Sequence, residues 1–479
     1  TPPAEAVDTP AESKPSASAT PAAAALAAAA ASGTPGKASV VQRPAIGTTL
    51  RLPHAEYDID QQGVEEHQRQ LEVTPITMYS TDWSLNLGRQ ISVNKHYICY
   101  GLKEGLIRIL NIQTAVRALL RGHTETVDDL KFFSDDVDLL GSTSKDGRIF
   151  IRRIKEVGKA PMTEQAQSIS EQQLLTLHII SKESMNLVRF CWHTQEENIF
   201  AFAAGGMISL CQSDVLQNAA SGIPLEFHLD SPPVGSVVFA GHSGRINDIA
   251  FSHRADVLVS GGEDGKVHVW RVLAIDRVAC VSTVEPYGGN PVYSVMWAPT
   301  VHANMKVLLT GGKCNSEIKL WLARSDPADE GKLSLQCAQT IALRSSSTPA
   351  TEDAFFNHSV FEPRSSLLIL ANTKKNALYA LRLVADNNEK LPYFSCLAEF
   401  SVTFPILSVT TISNVKDRAE DGEDAPVLQL YCIQTQAIQQ YTLDSSQCVP
   451  MDGSSEESEG SSGGTALDFS KDEGTVEEK

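Results

Sequence analysis

The stretch GHSGRINDIAFSHRADVLVSGGEDGKVHVW, Gly241 to Trp270, decides how the rest of the 479-residue chain reads. Within it, Ile246 to Phe251 and Val257 to Ser260 are apolar runs rich in β-branched residues. The polar Ser252-His253-Arg254-Ala255-Asp256 separates them, which is the pattern of two short strands and a connection. Asp264-Gly265 then supplies a hairpin turn, because Gly tolerates the positive φ that a tight turn needs and Asp can hydrogen-bond the turn backbone. Lys266 to Trp270 is therefore expected to pair with Val257 to Ser260. Along this third strand Val267 and Val269 face one way and Trp270 the other. A sheet with apolar groups on both faces must be covered on both, as stacked blades around a central channel are.

Gly241-His242 near the start of the unit, with Trp270 closing the third strand about 30 residues later, resembles the WD repeat. That resemblance implies that His242, Ser260, Asp264 and Trp270 form a buried hydrogen-bonded tetrad locking the third strand to the turn that opens the blade. Buried polar groups must be paired, so the tetrad reads as structural and not catalytic. Similar units recur along the chain. Strand-like runs at 91–100 and 105–110 form one, with Leu110 where the Trp would stand. Another opens at Gly122-His123, and there Arg152 replaces the Trp. A degenerate unit spans 187–212, and the unit at 292–321 ends in Trp321 and has Tyr287 in place of His. Two further units cover 360–383 and 406–443. The expected fold is an all-β WD40 β-propeller of seven blades, residues 57–448, with disordered termini. Glu72 to Tyr79, EVTPITMY, is expected to close the ring by pairing with the last blade, and Pro75 suits an edge strand there.

Residues 1–56 are rich in Ala, Pro, Ser and Thr and poor in large apolar groups, so they read as disordered and dispensable. Residues 449–479 read as an acidic Ser/Gly-rich disordered tail. The net charge of −18 argues against a nonspecific nucleic-acid binder, but much of it is local. Asp452 to Lys479 holds nine acids against two lysines, and Asp417 to Asp424 holds five acids against Arg418. No apolar run is long enough to span a bilayer, and the sequence reads as a soluble protein. The first residue is Thr, as in a fragment of a longer chain. Nine scattered cysteines without a CxxC pair read as small buried hydrophobes of a reducing compartment.

Catalytic signatures fail on inspection. Gly241-His242-Ser243-Gly244 is followed by Arg245 and breaks a GxSxG elbow, and Gly265-Lys266 is followed by Val267, not the Ser or Thr of a phosphate loop. The dispersed histidines show no zinc spacing, so neither a metal nor a cofactor is expected. Arg148, Arg152 and Arg153, with Lys155, form the one dense basic cluster, and the three arginines are the candidate contacts to a partner.

Beyond the repeat, the chain resembles the enhancer-of-mRNA-decapping scaffold family, of which Varicose is the plant type. The resemblance rests on EVTPITMY (Glu72 to Tyr79), LGRQISVNKHYICYGLKEGLIRILNI (Leu87 to Ile112), LLRGHT (Leu119 to Thr124), AFFN (Ala354 to Asn357), LLILANTKKNALYALRL (Leu367 to Leu383) and LQLYCIQTQAIQQYTLDSSQC (Leu428 to Cys448). It implies a noncatalytic scaffold that brings the decapping enzyme and its activator together on mRNA, promotes removal of the 5′ cap, touches RNA indirectly or weakly, and resides in cytoplasmic processing bodies. No Glu-rich Nudix motif of the decapping enzyme itself occurs here. Self-association is implied for a carboxy-terminal region of the family that this sequence does not include. The competing reading is a WD-repeat substrate receptor of a ubiquitin ligase. Such receptors show a Trp-Asp-x-Arg ending, and neither Trp270-Arg271 nor Trp321-Leu322 has the Asp.

Overall fold

The structure, a computed structural model, describes residues 47–60, 71–81, 88–157, 168–181, 187–220, 224–300, 304–326, 329, 331–346, 358–384, 391–414 and 427–448. The first 46 residues and the acidic tail from 449, both expected to be disordered, lie outside the described residues, as does the acidic loop 417–424. Seven sheets, each built on four antiparallel strands and three of them carrying a fifth, account for nearly all the rest. The quoted stretch supplies three strands of one of them, Ile246–Phe251, Val257–Gly262 and Val267–Ala274, and Arg277–Val284 completes it. Leu258 faces Trp270 across this hairpin and Val259 faces Val269, the expected pairing. Gly265, at φ +77°, makes the turn.

We number the sheets as blades 1 to 7 by their inner strands: Ile91–Val93, Val127–Ser134, Val188–Trp192, Ile246–Phe251, Val292–Ala298, His358–Glu362 and Ile406–Asn414. Blade 7 is completed by Glu72–Met78, which runs antiparallel to Ala437–Asp444, with Glu72 facing Thr442 and an irregularity between Pro75 and Thr77. Proline lacks the donor a ladder needs, and an outer strand with a bulge is where it does least harm. The ring is thus closed by chain from its two ends, so no blade is left with a bare face.

The apolar side chains separate into seven clusters, one in each gap between neighbouring blades. Trp270 packs with Phe251, Leu258 and Ala203 between blades 3 and 4. Val259, Val267 and Val269 pack on Val295 and Trp321 between blades 4 and 5. The strand alternation read from the sequence is what lets each sheet serve two gaps at once. Ile76 of the closing strand lies in the gap between blades 7 and 1.

Two features correct the sequence reading. The boundary at residue 56 falls too late. Thr48–Thr49 adds a fifth strand to blade 6, antiparallel to Tyr393–Ser401, and His54–Asp58 adds one to blade 5, parallel to Leu333–Arg344. Leu50, Ala55 and Ile59 are buried against these blades, and Tyr57 Oη donates to Glu399 of blade 6 at 3.0 Å. A few well-placed apolar residues anchor a segment whose neighbours look featureless. Blade 2 gains its own fifth strand from Leu225–His228, parallel to Ser168–Ile180, and the short helix Ser213–Ala220 leads toward it and buries Leu216. The cysteines are free; six are buried, whereas Cys280 and Cys337 are exposed. Among the described residues no helix is long and apolar enough to cross a membrane.

Candidate functional site

His242, Ser260, Asp264 and Trp270 meet as one chain of hydrogen bonds. Trp270 Nε1 donates to Ser260 Oγ at 2.9 Å, Ser260 Oγ lies 2.8 Å from His242 Nε2, and His242 Nδ1 lies 2.9 Å from Asp264 Oδ1. An indole can only donate, so the Ser260 hydroxyl is left to donate to Nε2. His242 therefore carries its proton on Nδ1, toward the carboxylate. Burial lowers the His242 imidazole below its usual value, with Asp264 opposing. Burial would raise Asp264, but His242 and the amides of Ser243 and Lys266 outweigh it and hold the carboxyl low. The result is a neutral imidazole and an anion with every acceptor oxygen engaged, which joins opening turn, second strand, hairpin and third strand.

The same positions in other blades show how the unit degrades. In blade 2, His123 Nε2 lies 2.9 Å from Ser142 Oγ and Nδ1 3.5 Å from Asp146 Oδ1. In blade 5, Tyr287 and Trp321 both meet the Thr310 hydroxyl, at 2.9 and 3.0 Å. Tyrosine supplies the polar tip in place of His there.

The arginine cluster does not form one surface. Arg152 occupies the tryptophan position of blade 2 and its side chain is 1% exposed. Its guanidinium lies over the Phe150 ring, 3.9 Å from the centroid, with Nε 2.8 Å from Glu171 and Nη2 donating to the Arg121 carbonyl at 2.7 Å. Burial lowers it to about 10, with Glu171 opposing. The expectation that Arg152 meets a partner is therefore corrected, since it is spent within the blade. Arg148 donates to the Gly122 carbonyl at the hairpin-turn rim, whereas Arg153 pairs with Glu197 at the opposite rim, 3.3 Å away. Five residues of extended chain separate them, roughly 17 Å.

His242, Asp264 and His268 bring three possible ligand atoms within 4.8 Å of one another. The tetrad already uses His242 and Asp264, and the role of His268 is visible in blade 2. There Phe150 stands at the matching position and packs edge-on against His123 at 4.7 Å, as His268 packs on His242 at 4.5 Å. A residue that phenylalanine can replace is acting as a ring, so these donors do not make a convincing metal set.

A second polar system lies at the channel, and the sequence reading missed it. Each inner strand of blades 2, 4, 5 and 7 carries a bulge near its start, immediately before Asp129, Asp248, Ser294 and Ser408. Bulges re-aim side chains, and these residues take one matching position with Arg189 and His358, while Arg89 stands one residue before that position, just ahead of the inner strand of blade 1. Asp129 Oδ2 accepts from the Phe190 amide of blade 3 at 3.0 Å, and Asp248 Oδ2 from the Val295 amide of blade 5 at 2.9 Å. Gln90, beside Arg89, donates its amide to Ser408 Oγ at 3.1 Å and so joins blade 1 to blade 7. Arg89 reaches both Asp248 (2.6 Å) and Asp129 (3.4 Å), and Arg189 reaches the same two at 2.9 and 3.5 Å. Burial would raise Asp248, but Arg89 and Arg189 outweigh it and keep the carboxyl low. Beside this ring, burial raises Asp128 to about 7, although the Val188 amide donates to it and Lys145 and Arg189 oppose the rise. The available signal was the repeated Asp-(Leu/Ile)-x-Phe of 129–132 and 248–251.

Comparison with known proteins agrees with this architecture. Residues 69–388 match the family model described as the WD40 region of Ge1, enhancer of mRNA-decapping protein. Enhancer of mRNA-decapping protein 4 of Danio rerio is 23% identical over 424 residues, covering 77% of this chain and 29% of its own length. The Homo sapiens protein of the same name is 23% identical over 430 residues with the same coverage. The chain thus spans about three-tenths of the length of these curated relatives. The solved β-propeller domain of Myceliophteria thermophila Cps50 (Swd1) is similar over 77% of this chain and 99% of its own, at 11% identity and a TM-score of 0.48. With two thirds of its residues inside the family model and its ring closed as a seven-bladed propeller, the chain belongs to the family of the Ge1 WD40 region.

Proposed function

We propose that this propeller is a noncatalytic docking platform of an mRNA-decapping scaffold, which brings the decapping enzyme and its activator together and so promotes 5′-cap removal and cytoplasmic mRNA decay in processing bodies. Membership of the Ge1 WD40 family carries the reading. The polar constellations support it, because the imidazole–carboxylate pairs of blades 2 and 4 are tied into their own blades and present no free nucleophile or base. Rigid blades display loops and rims on which partners can be read, and Arg148 and Arg153 remain candidate contacts on opposite rims.

Affinity purification with the 479-residue chain as bait tests this. Recovery of the decapping activator or enzyme is expected, and capture of ubiquitin-ligase subunits without either would overturn it. Arg148→Glu and Arg153→Glu, made separately, assign the rim. The one that matters lowers capture without shifting the melting temperature. If capture persists in both while RNA crosslinking is lost, the arginines are RNA contacts.

A further inference from the structure

We propose that the outer half of blade 1 is a basic docking face for the acidic carboxy-terminal segment of this same chain, residues 449–479, held by Arg108 and Arg117. The register of the sheet brings these two arginines together. In the hairpin of Ile107–Asn111 and Arg117–Leu120, Arg108 pairs with Leu119 and Leu110 with Arg117, and on its other side Arg108 pairs with Tyr100. Arg108 and Arg117 are therefore diagonal neighbours, with Cα atoms about 7–8 Å apart. Ile107, Ile109 and Leu120 pack in the gap between blades 1 and 2, whereas Tyr100 and Leu110 pack in the gap between blades 7 and 1. Alternate residues of a strand take opposite faces, so both arginines and Leu119 lie on the side toward blade 7. That face is open, since Arg117 is exposed and Arg108 and Leu119 are half-buried. Tyr79, just past the closing strand, accepts the Lys103 amide at 3.3 Å and ties the end of that strand to blade 1.

Charge favours an acidic occupant. Among the described residues no ion pair or hydrogen bond engages either guanidinium, and the side chain of Arg121, one residue past the strand, is exposed and likewise unpaired. On the facing wall the closing strand of blade 7 offers Glu72 and Thr74, opposite Thr442 and Gln440, while Asp444 of the next strand accepts the Ser446 amide at 2.9 Å. The tail brings more acid than this wall does. It holds nine acids against two lysines, and Leu467-Asp468-Phe469 sets a carboxylate between two large apolar groups. The face is complementary, with Leu119 and Tyr100 beside guanidinium groups whose planar fork matches a carboxylate. The tail also starts nearby. Cys448 is buried in the gap between blades 6 and 7, where its carbonyl accepts from Cys396 Sγ at 2.7 Å. Sheets stack about 10 Å apart, and only blade 7 stands between that gap and Arg108. Glu456 and Asp468 follow Cys448 by eight and twenty residues, enough chain to span roughly 26 Å and 66 Å. Attachment in cis gives an effective concentration of about millimolar order, so exposed ion pairs that are weak singly suffice for occupancy.

The test places a photoreactive benzophenone side chain at Phe469 of the 479-residue chain and maps its crosslinks by mass spectrometry. Crosslinks within one molecule to residues 72–79 and 97–120 are expected. Their yield should fall roughly tenfold in Arg108→Glu/Arg117→Glu and at high salt, which screens exposed charges. It should persist in Arg108→Lys/Arg117→Lys and in Arg254→Glu, an exposed arginine of blade 4. A second variant touches no blade: Glu456→Gln, Glu457→Gln, Glu459→Gln and Asp468→Asn together should lower the same yield, and it reads the contact even where the arginine variant fails to fold. Crosslinks spread evenly over the blades, or a yield unchanged in the tail variant, overturn the proposal. Crosslinked dimers in place of monomers identify the tail of a second copy and overturn docking in cis. Capture of single-stranded RNA through Arg108 and Arg117, without the tail crosslink, makes the face an RNA surface and overturns it as well.

Discussion

Replacing Arg152 by tryptophan should stabilise the propeller, although it exchanges a buried, partnered charge for a bulky ring. Blade 2 has His123, Ser142 and Asp146 in the tetrad arrangement and lacks only the indole. In its place a guanidinium sits 1% exposed. From an ordinary value of 12.5 it is lowered to about 10, and at about 1.4 kcal/mol for each pH unit the buried charge costs roughly 3 kcal/mol. The substitution loses the donation to the Arg121 carbonyl, about 1–2 kcal/mol. It also loses the pairing with Glu171, whose side chain is 33% exposed and can be solvated, so that loss is about 0–1 kcal/mol. It gains an indole bond to Ser142 like the 2.9 Å bond between Trp270 and Ser260, worth about 1 kcal/mol. Room for the ring exists. A Cβ on Gly241 would fall 2.2 Å from the Trp270 ring, and blade 2 keeps Gly122 at the matching place, where a Cβ would fall 2.9 Å from Arg152 Nη2. The balance is a gain of about 1–3 kcal/mol, as when well-packed apolar groups replace buried ion pairs elsewhere. Arg152→Ala relieves the same buried charge but loses the same bonds and opens a cavity of about 2–4 kcal/mol beside Phe150, so it should instead cost about 0–4 kcal/mol. Equilibrium denaturation of both variants measures this. Arg152→Trp destabilised by more than about 1 kcal/mol would refute the tetrad equivalence.

Trp270→Ala should cost about 3–5 kcal/mol through lost packing and the lost indole bond to Ser260; a variant that melts with wild type would show that the blade 4 tetrad does not stabilise. A chain beginning at residue 47 should keep wild-type stability, whereas one beginning at residue 61 should melt lower because Leu50, Ala55 and Ile59 leave their gaps, and equal melting of the two would sink the anchoring argument. Asp128, raised from 3.8 to about 7, binds more protons folded than unfolded between those values, so its contribution is lost as pH rises from about 4 to 7, at most about 1.4 kcal/mol per pH unit. Asp128→Asn should therefore look better relative to wild type at pH 7.5 than at pH 5, and a pH-independent difference would count against it. His123, His242, His268 and His358 are all lowered and act in the opposite sense, costing stability as pH falls below about 6.5. They are common to both proteins and cancel in the comparison.

What the chain reveals locally, it reveals well. Asp264-Gly265 between two β-branched runs specifies a hairpin from within five or six residues, and the alternation of Val267, Val269 and Trp270 specifies which gap each side chain enters. The tetrad is legible for the same reason, because His242 and Trp270 lie within one blade at a spacing set by strand and turn lengths. Glu72 to Met78 is legible as a closing strand because a ring of blades requires one and Pro75 suits an edge. Arg152 is where local reading fails. Its neighbours Arg148, Arg153 and Lys155 suggest a solvated basic stripe, and only the stacking of blade 2 on its neighbours turns that side chain inward while Arg148 and Arg153 go to opposite rims. The channel ring fails for a related reason. Arg89 and Asp248 are 159 residues apart, and the bulges that aim them leave no mark in a two-residue periodicity. The fifth strand at His54–Asp58 joins Tyr57 to Glu399 across 342 residues. Pattern dictates strands and turns because those depend on a residue's immediate neighbours. Burial of a charge, and the pairing of one charge with another, depend on which blades the closed ring brings together, and that is decided only in three dimensions.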